Sequence, residues 1–233
     1  MKASQHPEAA FLAAMTASAT HEVRNVLAII KESAGLVEDL VRVFGQRGTL
    51  NEEKISQAVG RIEAQVKRGA DLLTNLNRLS HTLDQDLDRV ELAREAEQVV
   101  FLSQRFARKG GHQVRLGEAD PGCQATVNPI RLHMTLFAAM ECCLEELPEG
   151  STVTVVVRKG QGEEVVEYLG SWEGAGEAAM PSEFEGWSDV ARLAESLGAS
   201  VHRAVAGYGI RILFPRSPWT DTATARLGGV ETT

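Results

Sequence analysis

Residues 20–30 read Thr-His-Glu-Val-Arg-Asn-Val-Leu-Ala-Ile-Ile, a stretch that sets His21, Glu22 and Asn25 directly against an apolar run. A histidine in such company is either core filler or an exposed reactive group, and helical geometry separates the two. At about 100° per residue, Val23, Val26, Ile30, Val37 and Val41 cluster on one side of a helix. His21 then falls roughly 160° from that cluster, and Asn25 sits one turn further along the same side. The imidazole belongs to the wet face, and the core reading fails on geometry.

Working outward, residues 9–90 contain no proline and repeat their apolar positions at helical spacing. Val23, Val26, Ile30, Val37, Leu40, Val41 and Phe44 give one stripe. Downstream, Ile55, Ile62, Gly69, Leu76, Leu83 and Val90 recur every seven residues, with Val59, Val66, Leu73, Ser80 and Leu87 as the companion row and Leu72 and Leu79 widening it. Between the stripes, Gly45-Gln46-Arg47-Gly48 reads as a turn and Thr49-Leu50-Asn51-Glu52 as a capping box. Two long helices joined by a short turn bury little alone, so a second copy is expected to complete a four-helix bundle through residues 9–88.

After Val90 the texture changes. Ala93–Lys109 reads as a helix ending at Gly110-Gly111, and 129–146 as another with Pro129 in its first turn. His112–Leu116, Gln124–Val127, Ser151–Arg158 and Glu163–Gly170 read as strands, the last two as a hairpin around Lys159-Gly160-Gln161-Gly162. Ser188–Leu197 is helical, and 201–206 with 210–214 make a closing hairpin across Gly207-Tyr208-Gly209. Helices on one face of a mixed sheet is the economical arrangement. Residues 1–8 and 216–233 are expected to be flexible ends.

Composition bounds the function. The chain has 233 residues, 43% hydrophobic and 5% aromatic, ample for one large or two modest domains. A formal charge of −8 with no compensating basic block argues against nucleic-acid binding. No apolar run reaches the roughly 20 residues needed to span a bilayer, and the start lacks a signal-peptide core. Cys123 and the adjacent pair Cys142-Cys143 have no CxxC spacing, which points to reduced thiols and a cytoplasmic setting. Adjacent cysteines diverge by about 100° on a helix, so Cys142, Cys143, Glu141 and His133 read as packing rather than a metal site. Gly174-Ala175-Gly176 is read as a turn, and His81 near Asp84 and Asp86 as a solvated helix end.

An exposed imidazole is largely neutral at pH 7, and its free nitrogen is a nucleophile. An adjacent acid can fix the tautomer and accept a proton as the ring attacks, and an amide one turn on can orient a water over the same spot. His21, Glu22 and Asn25 supply these groups. Arg24, Ala28, Lys31 and Glu32 surround or follow the histidine and form a candidate partner-binding face.

This arrangement resembles the H-box of bacterial sensor histidine kinases, His-Glu-x-x-Asn before an apolar run, followed by a dimerising hairpin. The resemblance implies that His21 is the phosphoacceptor, Glu22 the acid/base, and Asn25 the residue that supports dephosphorylation. More weakly it extends to residue 215. Asn128-Pro129-Ile130-Arg131-Leu132 looks like the start of the family's asparagine-bearing helix, and Glu145–Gly150 before Thr152–Val155 like its exit into a strand. Residues 187–199 look like its late helix. The implied fold class is α+β: a helical hairpin forming a dimeric four-helix bundle (9–88), then an ATPase-like α/β sandwich (89–215).

The nucleotide chemistry does not come with it. The family's magnesium-holding asparagines fall on Ala138 and Cys142, and a methyl and a thiol cannot replace hard oxygen ligands. Trp172 stands where the family's adenine-reading aspartate should be. Residues 177–183 are too few for the mobile lid, and the second glycine-rich box shrinks to Glu185-Gly186-Trp187. The combination is similar to dimeric histidine phosphotransferases of the ChpT type, although His-Glu-x-x-Asn is closer to the true kinases. The expectation is a relay of phosphoryl groups between aspartates of response-regulator receiver domains through His21, with no ATP, no cofactor of its own, and Mg²⁺ brought by the receiver. The alternatives are a phosphatase of a phosphorylated response regulator, a non-catalytic adaptor that binds one, and last an active sensor kinase.

Overall fold

A computed structural model of the chain describes residues 6–47, 51–174, 186–205 and 207–216. The chain divides into two compact units between His81 and Thr82.

The first unit is a pair of long helices in mutual contact, α1 (Pro7–Arg47) and α2 (Glu52–His81). Asn51 caps α2: the Lys54 N–H donates to its Oδ1 at 3.0 Å, and the Ile55 N–H to its carbonyl oxygen at 3.2 Å. α1 continues through Gly45 to Arg47, where a turn is expected, and Gly48 together with Thr49 and Leu50 of the expected capping box lies outside the described residues.

Buried positions on α1 alternate in steps of four and three through Met15, Ala19, Glu22 and Val26, and the next is Ser33. On α2, Ala58, Leu72 and Leu79 are buried. The seam is tight at Gly69, where a Cβ would stand 3.3 Å from Val26 Cγ1. Relative to the sequence reading, the seam is turned toward Glu22. Val26 is buried and Val23, Ile30, Val37 and Leu40 are half-buried, whereas Val41 is 51% exposed. The companion row of α2 also stays open, with Val59, Val66 and Leu73 exposed.

The heptad row does not continue to Val90 as a helix. α2 stops at His81, a 3₁₀ turn covers Thr82–Asp84, and β1 (Asp88–Glu91) follows. Apolar residues at Leu83, Leu87 and Val90 keep the seven-residue spacing by number alone. The segment Asp84-Gln85-Asp86 between them favours a turn.

In the second unit, β1 pairs antiparallel with β3 (Gln124–Val127). The main sheet is five-stranded in the order β2-β4-β5-β7-β6: β2 (Gln113–Ala119), β4 (Thr152–Lys159), β5 (Glu163–Ser171), β6 (Ser200–Arg203) and β7 (Tyr208–Pro215). Only β2 and β4 are parallel, and the other neighbours are antiparallel.

Strand alternation sends Val153, Val155, Val157, Val166, Tyr168, Ile210, Ile212 and Phe214 into one buried layer. α4 (Pro129–Glu146) packs there, and the Tyr168 hydroxyl donates to the Leu136 carbonyl at 2.8 Å. The start of α4 is built as its sequence suggests. Asn128 accepts from the Arg131 N–H at 3.0 Å, and Pro129 occupies the first turn. α3 (Leu92–Lys109) and α5 (Trp187–Glu195) both pack against α4, with Phe106 edge-on to Phe137 at 5.0 Å. His133, fully buried on α4, lies 3.1 Å through Nε2 from Glu95 on α3 and 2.9 Å through Nδ1 from the Pro129 carbonyl. Gly209 admits the tightest crossing, since a Cβ there would fall 1.8 Å from the Tyr168 carbonyl oxygen. The C-terminal tail beyond residue 216 lies outside the described residues.

Candidate functional site

His21 and Asn25 are both exposed on α1, one turn apart, and the Asn25 amide nitrogen stands 3.3 Å from His21 Nδ1. In this orientation the amide N–H donates to an Nδ1 lone pair. Turned over about its terminal bond, the same amide offers Oδ1 to an Nδ1–H. Asn25 can therefore serve either tautomer of the ring, and the second leaves the Nε2 lone pair free as a nucleophile.

Glu22 is elsewhere. Its side chain is only 10% exposed and pairs with Arg68 of α2, Nη2 to Oε2. The resemblance makes Glu22 the acid/base for His21; in the structure its carboxylate is buried and engaged with Arg68. Residues adjacent in sequence point about 100° apart on a helix, which carries residue 22 into the seam when residue 21 faces out. Arg68, which the sequence reading missed, has one legible signal: it lies seven residues after Arg61, on the same flank of α2.

Further along α1, a groove within this unit is lined by Ala28, Lys31 and Glu32 of the predicted partner-binding face, joined by Leu36 and Asp39 and by Arg61 from α2. Ala28, Glu32 and Asp39 share the face of His21 by helical angle. Arg24 is exposed near the histidine and does not line the groove.

In the second unit, Cys142 is buried on α4 beside the start of α5. A Cβ on Gly186, which caps α5 with φ +88, would lie 2.7 Å from Cys142 Sγ. Ala138 is one turn earlier on the same helix. Trp172 packs edge-on against Tyr208 at 5.6 Å. The shortened lid and Glu185 fall within 175–185, outside the described residues. Among the described residues no group of three His, Cys, Asp or Glu is arranged to hold a metal. No helix there is long and apolar enough to cross a membrane.

Burial, with Glu145 and Glu141 adding like charge, pushes the Cys142 thiol from 9.0 to about 12. Burial also raises Cys143, and Tyr208 to about 12. Each group holds its proton more tightly folded than unfolded. The stabilisation is therefore complete below the unfolded value and is lost as pH climbs toward the folded one. Urea unfolding at about pH 8 and again between about pH 9 and 12 should show stability falling at higher pH, by up to about 1.4 kcal/mol per pH unit for each titrating group. Cys142→Ala should make that slope shallower. An unchanged slope refutes the contribution of this thiol.

No protein-family model matches the sequence, and none of the curated proteins does. Solved structures do. The cytoplasmic segment of histidine kinase QseC aligns at 21% identity and a TM-score of 0.43, over 65% of this chain and 95% of that one. Histidine kinase AdeS from Acinetobacter baumannii aligns at 14% and 0.43, over 84% and 97%. Histidine kinase ThkA, solved in complex with response regulator protein TrrA, aligns at 15% and 0.45, over 92% and 65%.

Proposed function

We propose that this chain is a histidine phosphotransfer protein of a two-component phosphorelay, passing phosphoryl groups between receiver-domain aspartates through His21 without binding ATP. The exposed His21 imidazole with the Asn25 amide against Nδ1 is the observation that supports it most directly. In each transfer the Nε2 lone pair attacks phosphorus, the acyl P–O bond breaks, and the aspartate carboxylate leaves with the electron pair. Return to a second receiver reverses these bonds. Mg²⁺ and the acidic pocket are the receiver's contribution. The groove through Ala28, Lys31, Glu32, Leu36 and Arg61 combines both charge signs with an exposed apolar side chain, a surface suited to a protein partner.

A second copy of the chain is the proposed cover for Val59, Val66 and Leu73, whose seven-residue spacing matches a bundle seam. A phosphatase reading is favoured by the exposed Asn25 amide, which can hold a water against a receiver's phospho-aspartate.

Independence from ATP is supported by the residues in the second unit. Ala138 offers no ligand. Cys142 is a buried, protonated thiol, which is a poor partner for a hard Mg²⁺ ion. Trp172 is engaged with Tyr208 and carries no carboxylate to receive an adenine amine. Isothermal titration of the full chain with Mg-ATP should give no binding heat. Micromolar affinity would overturn this part of the reading and revive the kinase alternative.

A further inference from the structure

The acid beside the histidine is held by another residue. Glu22 is turned into the seam, where the guanidinium of Arg68 reaches it from α2, while the imidazole one residue earlier is exposed and in hydrogen-bond range of Asn25. Arg68 is itself about one-third exposed, so the pair sits at the edge of the seam. An arginine–carboxylate bond here is a charge-assisted one that offsets part of the cost of burying the carboxylate. A carboxylate committed to a guanidinium has its charge spent locally, and moving it to the ring means breaking that pair.

Building on the phosphotransfer reading, we propose that Arg68 is a positioning residue that keeps Glu22 away from His21, so that the imidazole is phosphorylated without Glu22 as proton acceptor. This chemistry suits an acyl-phosphate donor. The neutral ring already presents a lone pair on Nε2. Attack forms the N–P bond, the carboxylate leaves with the electrons of the P–O bond, and neither event requires a base. The ring proton stays on Nδ1, which can donate a hydrogen bond to the Asn25 oxygen, and it exchanges with water because the site is open. The inference differs from the sequence expectation in giving Glu22 a structural partner, and in giving α2 a residue that acts on the site through α1.

The test uses the full chain with two readouts. One is His21 modification by diethyl pyrocarbonate, mapped by peptide mass, which reads the nucleophilicity of the ring with no partner present. The other is labelling by radioactive acetyl phosphate, the simplest acyl phosphate. Glu22→Gln should leave both rates within threefold of the parent. Arg68→Ala removes the guanidinium that holds the carboxylate in the seam and should change His21 modification by more than threefold, and the change should vanish in Arg68→Ala/Glu22→Gln. Arg68→Lys, which keeps the charge, should behave as the parent.

A more than threefold fall in His21 modification for Glu22→Gln overturns the proposal, as does an Arg68→Ala variant indistinguishable from the parent. If Arg68→Ala fails to fold, the Glu22→Gln and Arg68→Lys arms still decide. Absence of acetyl-phosphate labelling in the parent counts against the phosphotransfer reading, while the modification rates continue to judge the role of Arg68.

Discussion

His21→Ala abolishes labelling of this protein by a phosphorylated receiver domain; that is the largest effect we expect. Transfer needs a nitrogen lone pair at a fixed place, and alanine has none, so the loss should be complete rather than graded. Because His21 is exposed and its described contact is the local one with Asn25, stability should change by no more than about 0.5 kcal/mol. A thermal melt matching the parent then assigns the loss to chemistry. Asn25→Ala separates the alternatives. Removing the amide should slow the loss of receiver phosphate if it positions water, while His21 labelling persists. An adaptor needs neither group and would bind its partner with both substitutions in place. Labelling of His21→Ala at the parental rate ends the phosphorelay assignment.

The second large effect concerns assembly. Val66 and Leu73, 56% and 58% exposed in the single chain and one heptad apart on α2, are where the proposed bundle would close. Val66→Glu combined with Leu73→Glu should convert a dimer into a monomer in sedimentation velocity at micromolar concentration. Burying four carboxylates across a two-fold seam costs several kcal/mol each without a partner cation, more than an ordinary dimer interface can supply. The single-chain fold should survive, because these positions are already open to water. A parent chain that sediments as a monomer removes the bundle from the reading.

Much of the architecture was legible because it is periodic. The hairpin followed from seven-residue spacing and the absence of proline, and the later strands from valine runs bounded by Gly-containing turns. Two kinds of information were not. Spacing alone does not say where a helix stops: Leu83, Leu87 and Val90 continue the pattern by number, although a 3₁₀ turn, a bend and β1 hold them. Nor could it tell the seam within one chain from a seam between chains. A hydrophobic count puts the packed face at the centre of the apolar stripe, whereas the packed face is rotated to include Ser18, Glu22 and Ser33. Polar residues in a seam are invisible to a hydrophobic count. For the same reason His21 and Asn25 came out together on the surface, as read, and Glu22 did not join them. Arg68 emerges only when two helices distant in sequence are brought side by side.

Gly69 carries one more consequence. At that level Val26 stands against the backbone of residue 69, its Cγ1 3.3 Å from where a Cβ there would lie. A methyl on residue 69 would need room that only Val26 can release, by shrinking or by moving α1 a few tenths of an ångström. Since Val26 is one turn beyond Glu22, that displacement would be felt first by the residues around the histidine. A single added carbon on α2 would therefore reach the helix that carries His21 through Val26 alone, without touching the histidine.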